Sequence, residues 1–303
     1  MDFLISGQHI PIAYLIAIGL IAGVCGGFFG VGGSFLVGPA LFALGMPMNM
    51  VVGTDLAHIV GKSIVATRKH RSLGNVDMKL AWIMVLGTIA GSEVGAQAVQ
   101  YLKRSGQVDQ VLGITFVVVL ISISAFMTWE GWKTLQKHGD KKPRGKKKDH
   151  SAFDHVAKFV HGIQLPPMLH FPVSGVKRIS FWIVLFVAFV GGVFSGFLGG
   201  GAGYIRMPLM VYLLGIPTHV AVGTDLFEVM ISASYGTLTH AVKGNVDIMV
   251  ALVMHTGAAI GAQIGAIGTQ YFTGPKIRLA FVPLPLIGAA LIILRLVSGH
   301  PMK

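Results

Sequence analysis

The chain has 303 residues, of which 53% are hydrophobic and 12% are charged, about half the charged share of an average soluble domain. The mean hydropathy is +0.71, and 24 Lys and Arg against 12 Asp and Glu give a formal net charge of +12. These values exclude a disordered chain and argue against an ordinary globular enzyme.

Five apolar runs approach the length that crosses a bilayer. A helix needs about 20 consecutive, mostly apolar residues to span the hydrocarbon core. The runs are Pro11–Gly30, Leu80–Leu102, Val111–Trp129, Ile179–Gly199 and Met249–Phe272. No basic region precedes the first run, so we interpret it as a retained span rather than a cleaved signal. The runs predict an all-α polytopic membrane protein of the cell (inner) membrane.

Most of the net charge lies in one stretch between two spans. Residues 131–178 contain eleven Lys and Arg against three Asp, which accounts for +8 of the +12. A basic loop between spans is typical of a cytoplasmic segment, and it can also contact anionic headgroups. Nucleic acid is not an expected partner, because no binding motif accompanies the charge. The single cysteine, Cys25, excludes an intrachain disulfide and a Cys-based zinc site.

The two parts that flank this basic stretch are copies of one another. Residues 45–77 align without gaps on residues 215–247, with 13 identities in 33 positions. Both copies contain Gly-x-Pro, then Gly-Thr-Asp-Leu, then Gly-Asn-Val-Asp. We therefore predict a first transmembrane repeat at 1–130, a basic cytoplasmic linker at 131–178 and a second transmembrane repeat at 179–303.

Each repeat is predicted to contain five apolar segments. They cover about 10–30, 34–45, 49–67, 77–101 and 110–130 in the first half, and about 179–199, 204–214, 218–240, 247–272 and 277–297 in the second. The second segment of each half is too short to span and follows a glycine run, which is typical of a half-helix. Interrupted segments at matching positions of two repeats indicate the binding site of a transporter.

Loop charges favour an inverted relation between the halves. The loop after the third segment carries four basic residues in the first half, whereas its counterpart carries only Lys243. Basic loops favour the cytoplasmic side. An odd number of crossings in each half, with both termini outside, satisfies this bias.

The glycine runs that precede the two half-helices have two interpretations. Gly-x-x-Gly-x-Gly can suggest a dinucleotide fingerprint, but that fingerprint requires a preceding strand in a soluble fold. The first interpretation is close helix packing through small residues. The second, which we favour, is an unwound segment whose N–H groups face an anion. The expected substrate-binding residues are Gly30, Gly32, Gly33, Ser34, Gly199, Gly200, Gly201 and Gly203. The runs Gly87/Gly91/Gly95 and Gly257/Gly261/Gly265 are predicted to pack helices.

Ionisable residues inside apolar segments are costly and therefore suggest function. Asp55, His58 and Lys62 fall on one face of a helix, and Asp225, Glu228 and Ser232 occupy the same positions in the second half. We expect proton coupling from Asp55, Asp225, His58, Glu228 and Lys62. Alternatively, the aspartates cap or brace helices and the three residues of the first half neutralise one another.

Other polar positions keep two interpretations. Thr54 and Thr224 can hydrogen-bond a helix backbone or a substrate oxyanion. Arg206 either snorkels to the membrane interface or binds an anion. Glu93 and His255 could form a polar pair or a proton relay. We expect His70 and His240 at the interface, and Asp77 and Asp247 as helix N-caps.

These motifs together resemble those of the TauE/SafE family of membrane permeases, often called sulfite exporters. The resemblance rests on the glycine run that ends at Gly33, on Pro39, and on the following Gly-x-Pro and Gly-Thr motifs; all recur in the second half. It covers the chain outside the linker. It implies secondary transport, without ATP, of small sulfur-containing anions such as sulfite, thiosulfate or an organosulfonate such as sulfoacetate. One departure is the residue after Gly-Thr, which is often Ser or Asn in the family and is Asp55 and Asp225 here.

The sequence therefore predicts an inverted-repeat transporter of a small sulfur-containing anion in the lipid bilayer. Two carboxylates near an anion path repel the substrate unless they are protonated or paired, which favours proton coupling. No cofactor and no catalytic residue are expected. One alternative is a divalent metal or cation transporter that uses Asp55, His58, Asp225 and Glu228. A second, from another class, is an intramembrane enzyme, which would not need two matching halves.

Overall fold

The computed structural model of the chain describes residues 2–5, 8–138 and 154–298. Helices α1 (Ile12–Phe29), α2 (Ser34–Ala43), α3 (Met48–Ser72), α4 (Met78–Ser105) and α5 (Val108–His138) form the first half. Helix α6 (Asp154–Gly162) lies in the linker. The second half contains α7 (Phe181–Leu198), α8 (Gly203–Tyr212), α9 (Thr218–Val242), α10 (Ile248–Gly268), α11 (Gly274–Phe281) and α12 (Pro283–Ser298).

Six stretches of the described residues are long and apolar enough to cross a membrane. They are Ile12–Phe29, Met78–Ser105, Val108–Lys133, Phe181–Leu198, Ile248–Tyr271 and Gly274–Ser298. Large apolar side chains such as Leu86, Val118 and Phe186 are more than half exposed on these helices, as expected for surfaces that face lipid. The prediction of an all-α polytopic membrane protein is confirmed.

The predicted short segments are two half-helices of 10 residues each, α2 and α8. Helices α3 and α9 have 25 residues each, which is about 37 Å of helix and enough to cross a bilayer. They carry buried polar residues in the interior of the structure, so their sequences are less apolar than those of the other long helices. The last predicted segment, 277–297, is divided into α11 and α12 at Pro283, because proline has no N–H to continue the helical bonding.

Each half begins with a short antiparallel hairpin, which the sequence analysis did not predict. Strands β1 (Asp2–Ile5) and β2 (Gln8–Pro11) precede α1. Strands β3 (Met168–Phe171) and β4 (Val176–Ser180) precede α7 and lie within the predicted linker, except for the last two residues of β4. The linker is therefore partly folded, and α5 extends eight residues beyond the predicted end of the first repeat.

Two helix pairs that join the halves are packed through glycine. A Cβ added to Gly257, Gly261 or Gly265 of α10 would meet the carbonyl oxygens of successive turns of α1. In the same way, Gly87, Gly91 and Gly95 of α4 lie against successive turns of α7. The prediction that these glycines pack helices is confirmed. In each pair, later residues of one helix contact later residues of the other. Helix α1 therefore runs parallel to α10, and α4 runs parallel to α7.

The two central helices, α3 and α9, cross between these pairs in opposite directions. The Asn49 side chain, near the start of α3, donates a hydrogen bond of 2.9 Å to the Asn245 side chain, just after α9. Further along, Leu56 of α3 lies against Gly236 of α9. The half-helices α2 and α8 pack beside them, and the main apolar core fills the space between.

Candidate functional site

Two glycine-rich interruptions, which we call the glycine breaks, lie where α1 and α7 end, at residues 30–33 and 199–202. Gly30, Gly32 and Gly33 have φ values of 75°, 71° and 76°, and Gly199, Gly200 and Gly201 have values of 81°, 74° and 71°. Residues with a side chain rarely adopt this left-handed region, so glycine is what allows the chain to reverse here. The predicted unwound segments are therefore present. Gly203 differs from the other six, because its backbone is already helical and begins α8.

The breaks of the two halves contact each other. The buried Ser34 hydroxyl donates a hydrogen bond of 2.8 Å to the carbonyl oxygen of Gly200. A Cβ on Gly32 would lie 3.0 Å from that same oxygen, and one on Gly203 would lie 2.5 Å from the Cα of Val31. The glycine residues that the sequence analysis assigned to substrate thus converge on one place between the halves.

The first half contributes a row of three buried polar side chains from α3. His58 lies between the other two: its Nδ1 is 3.7 Å from Oδ1 of Asp55 and 3.2 Å from Nζ of Lys62. None of the three is more than 1% exposed. Oδ2 of Asp55 would be 3.2 Å from a Cβ on Gly200. This row therefore faces the break of the second half.

The second half contributes a buried arginine held by two acids. Arg206 of α8 donates from Nε to Oδ1 of Asp225, and its Nη2 lies 2.5 Å from Oε2 of Glu228. Its Nη1 also donates to the Thr88 hydroxyl of α4 at 3.3 Å. All three charged side chains are fully buried. Arg206 therefore does not snorkel to the interface, and one positive charge faces two carboxyl groups.

Several buried polar atoms at this place have no hydrogen-bond partner among the described residues. Native proteins satisfy most buried polar atoms, so such a group marks a place for a ligand, a proton or ordered water. The atoms are Nε2 of His58, Oδ2 of Asp225 and the hydroxyl of Tyr204.

Tyr204 was missed by the sequence analysis. It is the second residue of α8 and fully buried, with its ring 6.1 Å from that of Phe116. The corresponding residue at the start of α2 is Phe35, so the second half has a hydroxyl that the first lacks. A comparison of the repeats at this position is the signal that could have found it.

The two Gly-Thr-Asp threonines contact helix starts in the opposite half. The Thr54 hydroxyl accepts a bond of 2.9 Å from the backbone N–H of Asp247. The Thr224 hydroxyl accepts one of the same length from Asp77. Asp77 caps α4 and Asp247 caps α10 through their side chains, so the N-cap prediction is confirmed.

His70 and His240, which we expected at the membrane interface, are not exposed on any surface. Both are fully buried. Nε2 of His70 is 2.9 Å from the carbonyl oxygen of Gly27, and Nε2 of His240 is 3.1 Å from that of Gly196. Each histidine therefore ties the end of α3 or α9 to the last turn of α1 or α7. Their matching positions in the two repeats were a signal of this shared structural role.

Glu93 and His255 contact different helices. Glu93 accepts hydrogen bonds from Gln97 and from Tyr235 of α9. The His255 ring packs against Gly61 of α3. In the part of the chain that the structure describes, no hydrogen bond or ion pair joins the two, so a direct pair between them is not formed.

The acidic and histidine residues do not form a metal site. Among the described residues, no three or more His, Cys, Asp or Glu side chains come close enough together to hold one ion. The positive charges of Lys62 and Arg206 stand among the carboxylates instead. This arrangement gives no support to the alternative of a metal transporter.

Comparison with known proteins agrees with this architecture. The family described as "Sulfite exporter TauE/SafE" matches residues 15–292. The "Probable membrane transporter protein YunE" of Bacillus subtilis is 28% identical over 92% of this chain and 96% of its own length. YjnA of the same organism, with the same description, is 24% identical over 94% of this chain and 97% of its own.

A plant protein is similar over a shorter region. The "Sulfite exporter TauE/SafE family protein 1" of Arabidopsis thaliana is 26% identical over 43% of this chain and 30% of its own length. No solved structure matches the chain significantly. The family match covers both halves and both glycine breaks, and the chain is a multi-pass membrane transporter rather than an enzyme, a member of the TauE/SafE sulfite exporter family.

Proposed function

We propose that the chain is a secondary transporter that carries a small sulfur-containing anion, such as sulfite, thiosulfate or an organosulfonate, across the cell (inner) membrane together with protons. The family description and the name of the plant relative support this class of substrate. The observation that carries the proposal is the position of two buried cations, Lys62 and Arg206, beside the paired glycine breaks.

The substrate site lies between the halves. An anion that leaves water needs several donors to replace its hydration. The hydroxyl of Tyr204 and the guanidinium of Arg206 are such donors, and the N-termini of α2 and α8 add a favourable field. Thr54 and Thr224 belong to the second layer of this site, because their hydroxyls hold the starts of α10 and α4.

Proton coupling follows from the balance of charge. Three buried carboxyl groups, on Asp55, Asp225 and Glu228, accompany two buried cations. When all are ionised, the cluster repels an anion and Arg206 is occupied by two acids. Protonation of Asp225 or Glu228 frees donor groups of Arg206 for the substrate. The proton and the anion therefore enter the site together. His58, between Asp55 and Lys62, belongs to the same cluster of charges.

The two halves are inverted repeats in the membrane, and the linker 131–178 is cytoplasmic. The antiparallel course of α3 and α9 supports the inversion, because these are the corresponding helices of the two repeats. The basic composition of the linker supports its cytoplasmic location. Two inverted halves that enclose one site provide alternating access from both sides.

The test is transport by the purified full chain in proteoliposomes. We expect uptake of ³⁵S-labelled sulfite or thiosulfate that increases several-fold when a pH gradient is imposed. Arg206→Gln removes a buried cation and should lower this uptake strongly. The matched control is Arg68→Gln, at an exposed arginine of α3. Uptake of Mn²⁺ or Zn²⁺ with no anion uptake would favour the cation alternative, and equal anion uptake by Arg206→Gln would overturn the proposed site.

A further inference from the structure

All four tryptophans of the chain lie on the side of the helices where the linker is folded. Trp82 is in the first turn and a half of α4, Trp182 is at the start of α7, and Trp129 and Trp132 are near the end of α5. Each is between 46% and 65% exposed. Tryptophan is enriched where a membrane meets water, with its ring at the level of the headgroups. The four rings therefore mark one membrane interface.

The folded part of the linker is held at the level of this interface. Ser174, at the turn between β3 and β4, donates its hydroxyl (2.7 Å) and its N–H (3.1 Å) to Oδ2 of Asp77, the cap of α4. Nε2 of His161 in α6 lies 3.0 Å from the carbonyl oxygen of Leu214, just after α8. Nε1 of Trp182 donates to the carbonyl oxygen of Pro166. The hairpin and α6 are thus fixed beside a lipid-facing tryptophan.

A cavity lies between α6 and the hairpin, with a volume of about 380 Å³. Its lining includes two exposed basic side chains, Lys177 and Arg178, and the polar side chains of His161 and Gln164. The guanidinium and ammonium groups suit a phosphate oxygen. The rest of the lining comes from Met168 and Gly175.

Apolar side chains on the same small unit are exposed. Phe159 of α6 is 75% exposed, Leu165 is 52% exposed and Val173 of the hairpin is 47% exposed. A site for a free anion in water does not need such a surface. At a membrane interface, the basic cavity suits the phosphate of a phospholipid headgroup, and the apolar neighbours suit its acyl chains.

We propose that this cavity binds the headgroup phosphate of an anionic phospholipid in the leaflet on the linker side, with Phe159, Leu165 and Val173 in contact with its acyl chains. Lys177 and Arg178 hold the phosphate. The site is separate from the transport site between the halves, so it does not depend on the identity of the transported substrate. Through Ser174 and Asp77, a bound lipid stabilises the position of the hairpin on the start of α4.

The test is native mass spectrometry of the full chain in detergent with added phosphatidylglycerol or phosphatidylcholine. We expect the wild type to retain phosphatidylglycerol preferentially. Each basic residue near a membrane surface contributes about a fivefold factor, so Lys177→Gln with Arg178→Gln should weaken retention about twentyfold or more. The matched control for surface charge outside the cavity is Lys69→Gln with Arg71→Gln, at the end of α3 on the same side of the membrane, which should weaken retention less than the double change in the cavity. Gel filtration of each variant reports folding.

A second arm separates a lipid from a free phosphate. Phe159→Ser with Leu165→Ser should weaken lipid retention while leaving the basic residues in place, and inorganic phosphate at millimolar concentration should not displace the lipid. Displacement by inorganic phosphate, with no effect of the apolar changes, would show a simple anion site and overturn the proposal. Equal retention of both lipids, or no effect of the basic changes in a folded protein, would also overturn it.

Discussion

Thr54 and Thr224 occupy the same position in the two halves, and each accepts the backbone N–H of the aspartate that caps a helix in the opposite half. Oγ1 of Thr54 is 2.9 Å from the nitrogen of Asp247, and Oγ1 of Thr224 is 2.9 Å from that of Asp77. The Gly-Thr-Asp-Leu motif of each half therefore contacts the Gly-Asn-Val-Asp motif of the other half, so the same contact is formed twice. This reciprocity gives a structural reason for their joint duplication.

Replacing either threonine by valine should destabilise the protein without changing its shape. Valine matches threonine in size but leaves a buried N–H without an acceptor, which costs about 1–3 kcal/mol. We expect a lower unfolding temperature in detergent for Thr54→Val and Thr224→Val, and recovery with serine. Thr256→Val, at an exposed hydroxyl of α10, is the control. A loss of transport with unchanged thermal stability would instead point to direct contact with the substrate.

Neutralising one acid beside Arg206 should separate anion exchange from proton-driven accumulation. Asp225→Asn and Glu228→Gln each mimic a protonated acid and leave Arg206 paired with the other. We expect both variants to exchange labelled anion for unlabelled anion across the vesicle membrane, but to lose several-fold accumulation under a pH gradient. Glu93→Gln, at a partly exposed acid, should retain both activities. Full pH-driven accumulation in both variants would contradict the proposed coupling.

Adding a single methyl group between α4 and α7 should destabilise the fold. A Cβ on Gly91 would meet the carbonyl oxygen of Phe189, and the nitrogen of Val193 would be 2.7 Å away. Both are backbone atoms, so the helices must separate; overpacking of this kind costs about 1–3 kcal/mol. Thermal unfolding in detergent should detect this loss for Gly91→Ala. Gly162→Ala, where nothing lies within 4 Å, should have little effect.

Cysteine labelling should place the two equivalent loops on opposite sides of the membrane. Ser72 and Val242 are exposed at the ends of α3 and α9. In a Cys25→Ser background, single cysteines at these positions should react with an impermeant thiol reagent from opposite faces of sealed vesicles. Ser72→Cys should react from the cytoplasmic face. Reaction of both from the same face would exclude the inverted arrangement.

The helices could be predicted closely because apolar length, glycine runs and caps are local signals. The half-helices after Gly33 and Ala202, and the caps at Asp77 and Asp247, needed only neighbouring residues to identify. The hairpin of Met168–Phe171 and Val176–Ser180 was missed because its strands are brief and follow a run of basic residues that was interpreted as one linker. The turn between them is held to the start of α4 through Ser174 and Asp77, a contact that no local pattern contains.

The candidate site could be predicted only in part. Matching positions in the repeats identified Asp55 with Asp225, and the helical period placed His58 and Lys62 on the same face. The partners of Arg206 come from α9 and α4, at sequence separations of 19 residues for Asp225 and 118 for Thr88. These contacts follow from the three-dimensional arrangement of the two halves, so the spacing of residues along the sequence did not reveal them.

The glycine-packed pairs have a consequence for how this protein is made. Helix α1 ends at Phe29, but the helix against which its glycines and carbonyls close, α10, begins only at Ile248. During synthesis, the surface of α1 that packs against α10 is therefore exposed to lipid until α10 has been translated and inserted. The first half has no complete partner surface of its own for α1 or α4. We expect assembly in the membrane to be late and ordered: the α4–α7 pair can form once α7 is inserted, and the α1–α10 pair forms only after α10 follows.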